Sequence, residues 1–484
     1  MEFVLTPEQM GAADRAAVQA GTTVEQLMER AGRALARSVR DVLGGTYGRR
    51  AVIVTGKGNN GGDGLVAARV LAADGIRAEV FPLDPGLDRA ALEASLSRSH
   101  VAVDAMFGTG LRGALDGDAA WAAAAFDAAG VPVVACDIPS GVDGVTGAIS
   151  GVAVRADLTV TFAALKPGLV LGGGREHAGS IRVVPIGVDP TAAPGAPAYV
   201  LDAADVAALL PERPFESHKW SVGSLLVVGG SPGMLGATNL VAMGALRAGA
   251  GMVVVGVPGE EATRRVAGGE AVARALAATQ DGRLDEPAAK EVLAALERFT
   301  ALAVGPGLGT DERTVAAVRR VVAEAPVPLV VDADGLNALA GDLAPLRERT
   351  AETVLTPHDG EFARLAGAPP GPDRLAGVRA LAVQTGAVVL LKGSTTLVAH
   401  PDGRAVVNLN GGPWLATAGT GDVLTGVIAA LLAQGLPALE AAALAAWLHG
   451  RAADHAGHAG LVAGDLPPAL PAVLAALEAE RTGV

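Results

Sequence analysis

A chain of 484 residues, half of them hydrophobic, is too long for one ordinary domain and suits two or three. Its net charge of −13, with no basic tract, excludes nucleic acid as a general partner. The single cysteine, Cys136, excludes an intrachain disulfide and fits a reducing, cytoplasmic setting.

Taken in chain order, Met1-Glu2-Phe3-Val4-Leu5 lacks a basic region ahead of an apolar core, so no signal peptide is expected. Thr6-Pro7-Glu8-Gln9 reads as a helix start, with an N-cap, a first-turn proline and Gln three residues on. A second helix is expected over Val24–Leu43. Short apolar runs then recur at Ala51–Thr55, Arg77–Phe81, His100–Asp104, Val131–Cys136, Leu158–Phe162 and Ser180–Val184, most of them separated by helical segments. That alternation predicts a doubly wound, largely parallel sheet.

Between Pro185 and Pro197 the chain turns rich in Pro and Ala, which places a boundary between domains 1–198 and 199–484. A second α/β alternation follows, with strands near Ser224–Val228, Met252–Val257, Ala301–Val304, Leu329–Asp332, Thr353–Leu355, Val388–Leu391 and Thr396–His400. Helices over Gly421–Gln434 and Leu439–His455 close it. Gly426, Gln434, Gly435 and Pro437 interrupt that apolar stretch, so a buried helix pair is expected and no membrane span.

Three strand ends of the first half carry polar, glycine-rich loops. Ala51–Thr55 runs into Gly56-Lys57-Gly58-Asn59-Asn60-Gly61-Gly62-Asp63-Gly64, with a helix expected from about Leu65. Gly56-x-Gly58-x-x-Gly61 matches a dinucleotide fingerprint, a weak signal alone. The amides and carboxylate could hold a cation, and the N–H groups a phosphate. Asp104-Ala105-Met106-Phe107-Gly108 and Cys136-Asp137-Ile138-Pro139-Ser140 end two further strands. Any one of these Asp residues could be a helix cap. Three such loops at carboxyl ends of one sheet describe a pocket.

These loops resemble the NAD(P)H-hydrate epimerase family over about the first 190 residues. The resemblance implies that Asn59, Asn60, Gly61, Gly62, Asp63, Gly108, Thr109, Gly110, Leu111, Arg112, Gly113 and Asp137 contact a hydrated nicotinamide nucleotide. It also implies a potassium ion held by Asn60, Asp104 and Ser140. Asp137 is the candidate acid/base. Lys166, in Phe162-Ala163-Ala164-Leu165-Lys166-Pro167-Gly168, matches a further family segment without an evident role. The chain has only five lysines among 38 basic residues, so a retained lysine suggests that a compact ammonium is wanted; chance is the bland reading.

Four segments stand out in the second half: Ser217–Gly223, Val304-Gly305-Pro306-Gly307-Leu308-Gly309, Thr356-Pro357-His358-Asp359-Gly360-Glu361, and Ala416-Thr417-Ala418-Gly419-Thr420-Gly421-Asp422. The last opens an apolar helix. N–H groups there would stabilise a transferring phosphoryl group, and the carboxylate could take a proton from a hydroxyl. Lys392-Gly393-Ser394-Thr395-Thr396 offers further donors for nucleotide phosphates, and the absence of Gly-x4-Gly-Lys-Ser/Thr excludes a P-loop.

These segments resemble the ribokinase-like fold and, within it, the ADP-dependent NAD(P)H-hydrate dehydratases. The resemblance implies that Ala237, Gly307, His358 and Asp422 contact the hydrate, with Asp422 as the base. Lys392, Gly393, Ser394, Thr395, Thr396 and Gly421 would contact ADP, with Mg2+. It also implies a homo-oligomer acting on hydrated NADH or NADPH. Trp220 and Asp359 depart from the family pattern, where a small residue and Pro are usual. A small-molecule kinase fused to a nucleotide-binding domain remains an alternative, as does a nucleotide sensor without turnover. The sensor would not need Asp137 or Asp422.

Overall fold

Apolar runs ending in glycine become strands ending in turns throughout the computed structural model, which describes residues 1–84, 86–266 and 269–482. The chain divides into two units, Glu2–Ala198 and Tyr199–Val484.

In the first unit, Thr6 and Gln9 form a reciprocal cap on helix Pro7–Gln19, each side chain bonding the other's backbone N–H at 3.2 and 3.0 Å. Such a cap is worth about 1 kcal/mol. Thr23 caps helix Val24–Leu43 the same way, and left-handed Gly44 ends it. The strands are β1 (Glu2–Val4), β2 (Arg50–Thr55), β3 (Arg77–Pro82), β4 (Val101–Ala105), β5 (Val133–Cys136), β6 (Leu158–Phe162) and β7 (Ser180–Val184). All but β1 form a parallel sheet in the order β3-β2-β4-β5-β6-β7. Alternate residues serve opposite faces: Ala51 and Ile53 join the core under the first two helices, and Val52 and Val54 that under helices Arg89–Leu96 and Gly117–Ala129. Strand order reverses between β2 and β4, where an open α/β sheet has its crevice.

One boundary needs correction. The helix after β2 begins at Asn59, not near Leu65, so Asn59–Asp63 form its first turn. Close packing explains the glycines there. A Cβ at Gly56 would lie 1.9 Å from the Met106 carbonyl oxygen, and one at Gly61 would lie 1.9 Å from that of Gly56.

The second unit contains β9 (Ser224–Val228), β10 (Met252–Pro258), β11 (Val272–Leu276), β12 (Ala301–Val304), β13 (Leu329–Val331), β14 (Thr353–Leu355), β15 (Val388–Leu391), β16 (Thr396–Ala399) and β17 (Ala405–Asn408); β8 (Ala198–Val200) lies where the units divide. Their order is β17-β16-β15-β14-β13-β12-β9-β10-β11, parallel except at β16 and β17. The reversal point falls between β9 and β12. The short strands β1, β8, β11 and β17 were not expected, being short or interrupted by charge. Helix Thr420–Ala433 is almost wholly buried and crosses helix Leu235–Arg247 at two glycines. A Cβ at Gly426 would meet the Val241 carbonyl oxygen at 2.1 Å, and one at Gly244 the Val423 oxygen at 2.6 Å. Backbone touching backbone fixes the start of the buried helix, and with it Asp422. Among the described residues no helix is long and apolar enough to cross a membrane.

Candidate active sites

The carboxyl ends of β2, β4, β5 and β6 open into a cavity of about 1140 Å3 within the first unit. Of the residues expected there, Asn59, Asn60, Asp63, Gly108, Thr109, Gly110, Leu111, Arg112 and Asp137 line it. Gly61 and Gly62 do not line it; they let the helix pack against Gly56 and Met28, and Gly113 turns the backbone at φ 83° beyond the lining. Asp14, from the first helix, lines the cavity and was not foreseen.

Asp137 follows β5 at φ 65°, a left-handed conformation for a non-glycine residue. Its Oδ1 accepts from Lys166 Nζ at 2.5 Å, Thr161 Oγ1 at 3.0 Å and Phe162 N at 3.4 Å. Asp63 lines the same cavity and is largely buried. Burial first, then the charges of Asp137 and Asp14, push its carboxyl up to about 8, so it is protonated at neutral pH and can donate a hydrogen bond. Burial likewise raises Asp14.

The expected potassium ligands meet around the turn at Phe107 and Gly108. Asp104 is fully buried and accepts from Ser140 N and Ser140 Oγ, both at 2.7 Å, and from Met106 N at 3.2 Å. Burial pushes it up to about 6 against those bonds. Asn60 sits against Gly108, and its Nδ2 is buried without a hydrogen-bond partner. The Asp104 carboxylate, the Ser140 hydroxyl and the Asn60 amide oxygen are oxygen ligands of the kind a hard monovalent cation takes, whereas Asn60 Nδ2 is a hydrogen-bond donor and no ligand.

In the second unit, Gly307 lies beside Ala237, its absent Cβ 3.5 Å from that of Ala237. Asp422 stands in the first turn of helix Thr420–Ala433, whose N-cap Gly419 has φ 91° and makes no side-chain cap bond. The helix's first N–H groups therefore lack a side-chain cap. Burial first, then the Asp332 carboxylate, push Asp422 up to about 7 against the pull of Lys392. Asp332, fully buried at the end of β13, accepts from Lys392 Nζ at 2.9 Å and Thr425 Oγ1 at 2.7 Å. Burial would lower the Lys392 ammonium, but Asp332 and Glu361, the latter at 3.7 Å, outweigh it and hold it above its ordinary value.

Lys392, expected to reach phosphate, thus commits its charge first to two carboxylates. Gly421 lies beside it, with a virtual Cβ 3.5 Å from Nζ. Gly393, Ser394 and Thr396 border a small recess of about 60 Å3 with Asn408, Asn410 and His449, while Thr395 is buried in the same turn. His358 caps helix Asp359–Ala366: its Nδ1 accepts from Gly360 N at 2.9 Å and Glu361 N at 3.3 Å. Its Nε2 lies 3.5 Å from Glu361 Oε1.

The departures have partners. Asp359 makes a two-bond pair with Arg374 at 2.7 and 2.8 Å, and Trp220 packs against Arg298 and Phe299. Segment Ser217–Gly223 lies elsewhere: the Lys219 carbonyl packs on Gly251, at the amino end of β10, whereas the other segments gather at carboxyl ends. Asp332, Thr425 and Glu361 were not among the expected site residues. Asp332 ends a strand as Asp104 and Asp137 do, and that signal could have found it.

A family model described as NAD(P)H-hydrate dehydratase matches residues 225–474, and one described as YjeF-related protein N-terminus matches 24–95 and 85–168. The bifunctional NAD(P)H-hydrate repair enzyme Nnr of Moorella thermoacetica is 40% identical over 99% of this chain and 98% of its own. That of Mycobacterium tuberculosis H37Rv is 42% identical over 86% of each chain. Among solved structures, ADP/ATP-dependent NAD(P)H-hydrate dehydratase from Bacillus subtilis, co-crystallised with ATP and Mg2+, is 36% identical, covering 58% of this chain and 98% of its own at a TM-score of 0.51.

Proposed function

Because the chain belongs to the family of bifunctional NAD(P)H-hydrate repair enzymes, we propose that residues 1–198 epimerise the R and S forms of hydrated NADH or NADPH and that residues 199–484 dehydrate the S form with ADP. The observation that carries this reading is that each unit gathers glycine-rich turns and an aspartate at the carboxyl ends of its own parallel strands, Asp137 after β5 in one and Asp422 beside Asp332 in the other.

In the hydrate, the hydroxyl sits on the ring carbon next to the ring nitrogen. The nitrogen lone pair expels it, and its return to the other face inverts the centre. The acid/base work falls to Asp137, with the neutral Asp63 carboxyl lining the same cavity as a candidate donor to the substrate. Asn60, Asp104 and Ser140 would hold a potassium ion, which when bound supplies positive charge beside the substrate loops. Support for this site is the buried Asp104 carboxylate, the Ser140 hydroxyl bonded to it and the Asn60 side chain against Gly108.

In the second unit, Asp422 takes the proton of the ring hydroxyl as ADP transfers its terminal phosphoryl group. The N–H groups of the helix start receive the developing charge. Phosphate then leaves with help from the ring nitrogen, a proton leaves the adjacent carbon, and reduced nicotinamide, AMP and phosphate result. Mg2+, when bound with the nucleotide, neutralises phosphate charge. Ala237, Gly307 and His358 would seat the hydrate. Gly393–Thr396 would hold the nucleotide, with the Lys392 ammonium beside them. A cytoplasmic homo-oligomer is the setting the resemblance implies; light scattering of the purified chain tests the assembly.

The test of the reading is product identity. The S hydrate and ADP should give equal amounts of reduced nicotinamide, AMP and free phosphate. A stable phosphorylated product would instead establish a small-molecule kinase.

A further inference from the structure

Two adjacent strands of the first unit end in the same strained way. After β5, Asp137 has φ 65° and Ile138 N bonds back to Cys136 O at 2.8 Å. After β6, Ala163 has φ 62° and Ala164 N bonds back to Phe162 O at 2.7 Å. Both are three-residue turns with positive φ, a rare and strained form. Strain of this kind persists only where surrounding structure enforces it.

Lys166 is the group that ties the two turns together. Its side chain is 1% exposed, and Nζ donates to Asp137 Oδ1 at 2.5 Å, Thr161 Oγ1 at 2.9 Å and Phe162 O at 3.0 Å. The three donor contacts take up the three protons of an ammonium. The backbone on either side is held too. Leu165 N bonds Phe3 O at 2.8 Å, and Gly168 N bonds Gly144 O at 3.0 Å.

The two oxygens of Asp137 are therefore unequal. Oδ1 receives Lys166, Thr161 and the Phe162 N–H, whereas the side chain keeps 17% exposure in the cavity. We infer that Lys166 is a positioning residue for epimerisation: with Thr161 it occupies Oδ1 of Asp137 and leaves Oδ2 as the oxygen that exchanges a proton with the hydrate. This rests on the reading of Asp137 as the acid/base. The charged and titratable groups around Asp137 are Lys166 itself, Asp63 from helix Asn59–Ala73, Asp14 and Arg15 from helix Pro7–Gln19, and the buried Cys136 thiol before it. Lys166 is the cation hydrogen-bonded to this carboxylate.

The experiment measures interconversion of R and S hydrates by proton NMR in the full chain without ADP, for Lys166→Met, Thr161→Val and Asp137→Asn. Lys166→Met should lower kcat on the order of 100-fold and leave KM within a few-fold, the split expected of a group that orients Asp137 without touching substrate. Thr161→Val keeps the charge and loses one Oδ1 donor; its kcat should fall about tenfold with KM unchanged. It decides the matter if Lys166→Met does not fold. Either variant turning over within about threefold of the unsubstituted chain, or losing affinity without losing kcat, overturns the inference. Normal epimerisation by Asp137→Asn would instead overturn the underlying reading. An inactive Asp137→Asn beside a fully active Lys166→Met sinks the positioning role alone.

Discussion

At the scale of single residues, burial sets the chemistry. Asp422, pushed up to about 7, is half ionised near neutrality, so the acid limb of dehydration should fall near pH 7, with activity rising as the carboxyl loses its proton. Asp422→Asn keeps the size but removes the base; the release of phosphate should drop on the order of 100- to 10,000-fold, with nucleotide binding retained. Asp63 gives a stability prediction. Its folded carboxyl holds a proton from its ordinary 3.8 up to about 8, whereas the unfolded one loses it near 3.8. The folded state binds more protons between those values, so this group's contribution to stability falls as pH rises through the window and levels above it. Asp63→Asn, which cannot ionise, should flatten that slope and raise the melting temperature at pH 8, by about 1 kcal/mol or more of stability. A melting curve whose pH dependence is unchanged would contradict the assignment. The glycine-flanked aspartates were legible in the sequence because each ends an apolar run. Asp332 was not read as part of a site, and the partner of Lys166 was invisible, because both depend on which strands become neighbours.

At the scale of elements, glycines decide how closely helices approach. Gly426→Ala places a methyl group 2.1 Å from the Val241 carbonyl oxygen, so the two helices must separate. The substitution should destabilise the second unit by about 1–3 kcal/mol and reduce dehydration by moving Asp422, leaving epimerisation unchanged; chemical denaturation and both assays check this. Most strands and the long helices could be read from period and capping, as at Thr6–Gln9. The start of helix Asn59–Ala73 could not, since Asn-Asn-Gly-Gly reads as a loop by local preference. Tight packing of Gly56 and Gly61 overrides that preference.

At the scale of the whole molecule, each unit has its own sheet, core and crevice. A chain beginning at Tyr199 should therefore dehydrate the S hydrate and leave the R hydrate to its slow spontaneous epimerisation. Rapid use of pure R hydrate by that shortened chain would show that the division of labour is wrong. The proline- and alanine-rich stretch before Ala198 made the division legible, because few apolar contacts can be expected from such a segment. The central claim is that both activities reside in one chain, and one measurement tests it directly. Pure R hydrate is mixed with the full chain, ADP and Mg2+, and the absorbance of reduced nicotinamide is followed. Complete recovery, far faster than spontaneous epimerisation and matched by AMP and free phosphate, is the predicted result; no recovery, or a phosphorylated hydrate that persists, would contradict it.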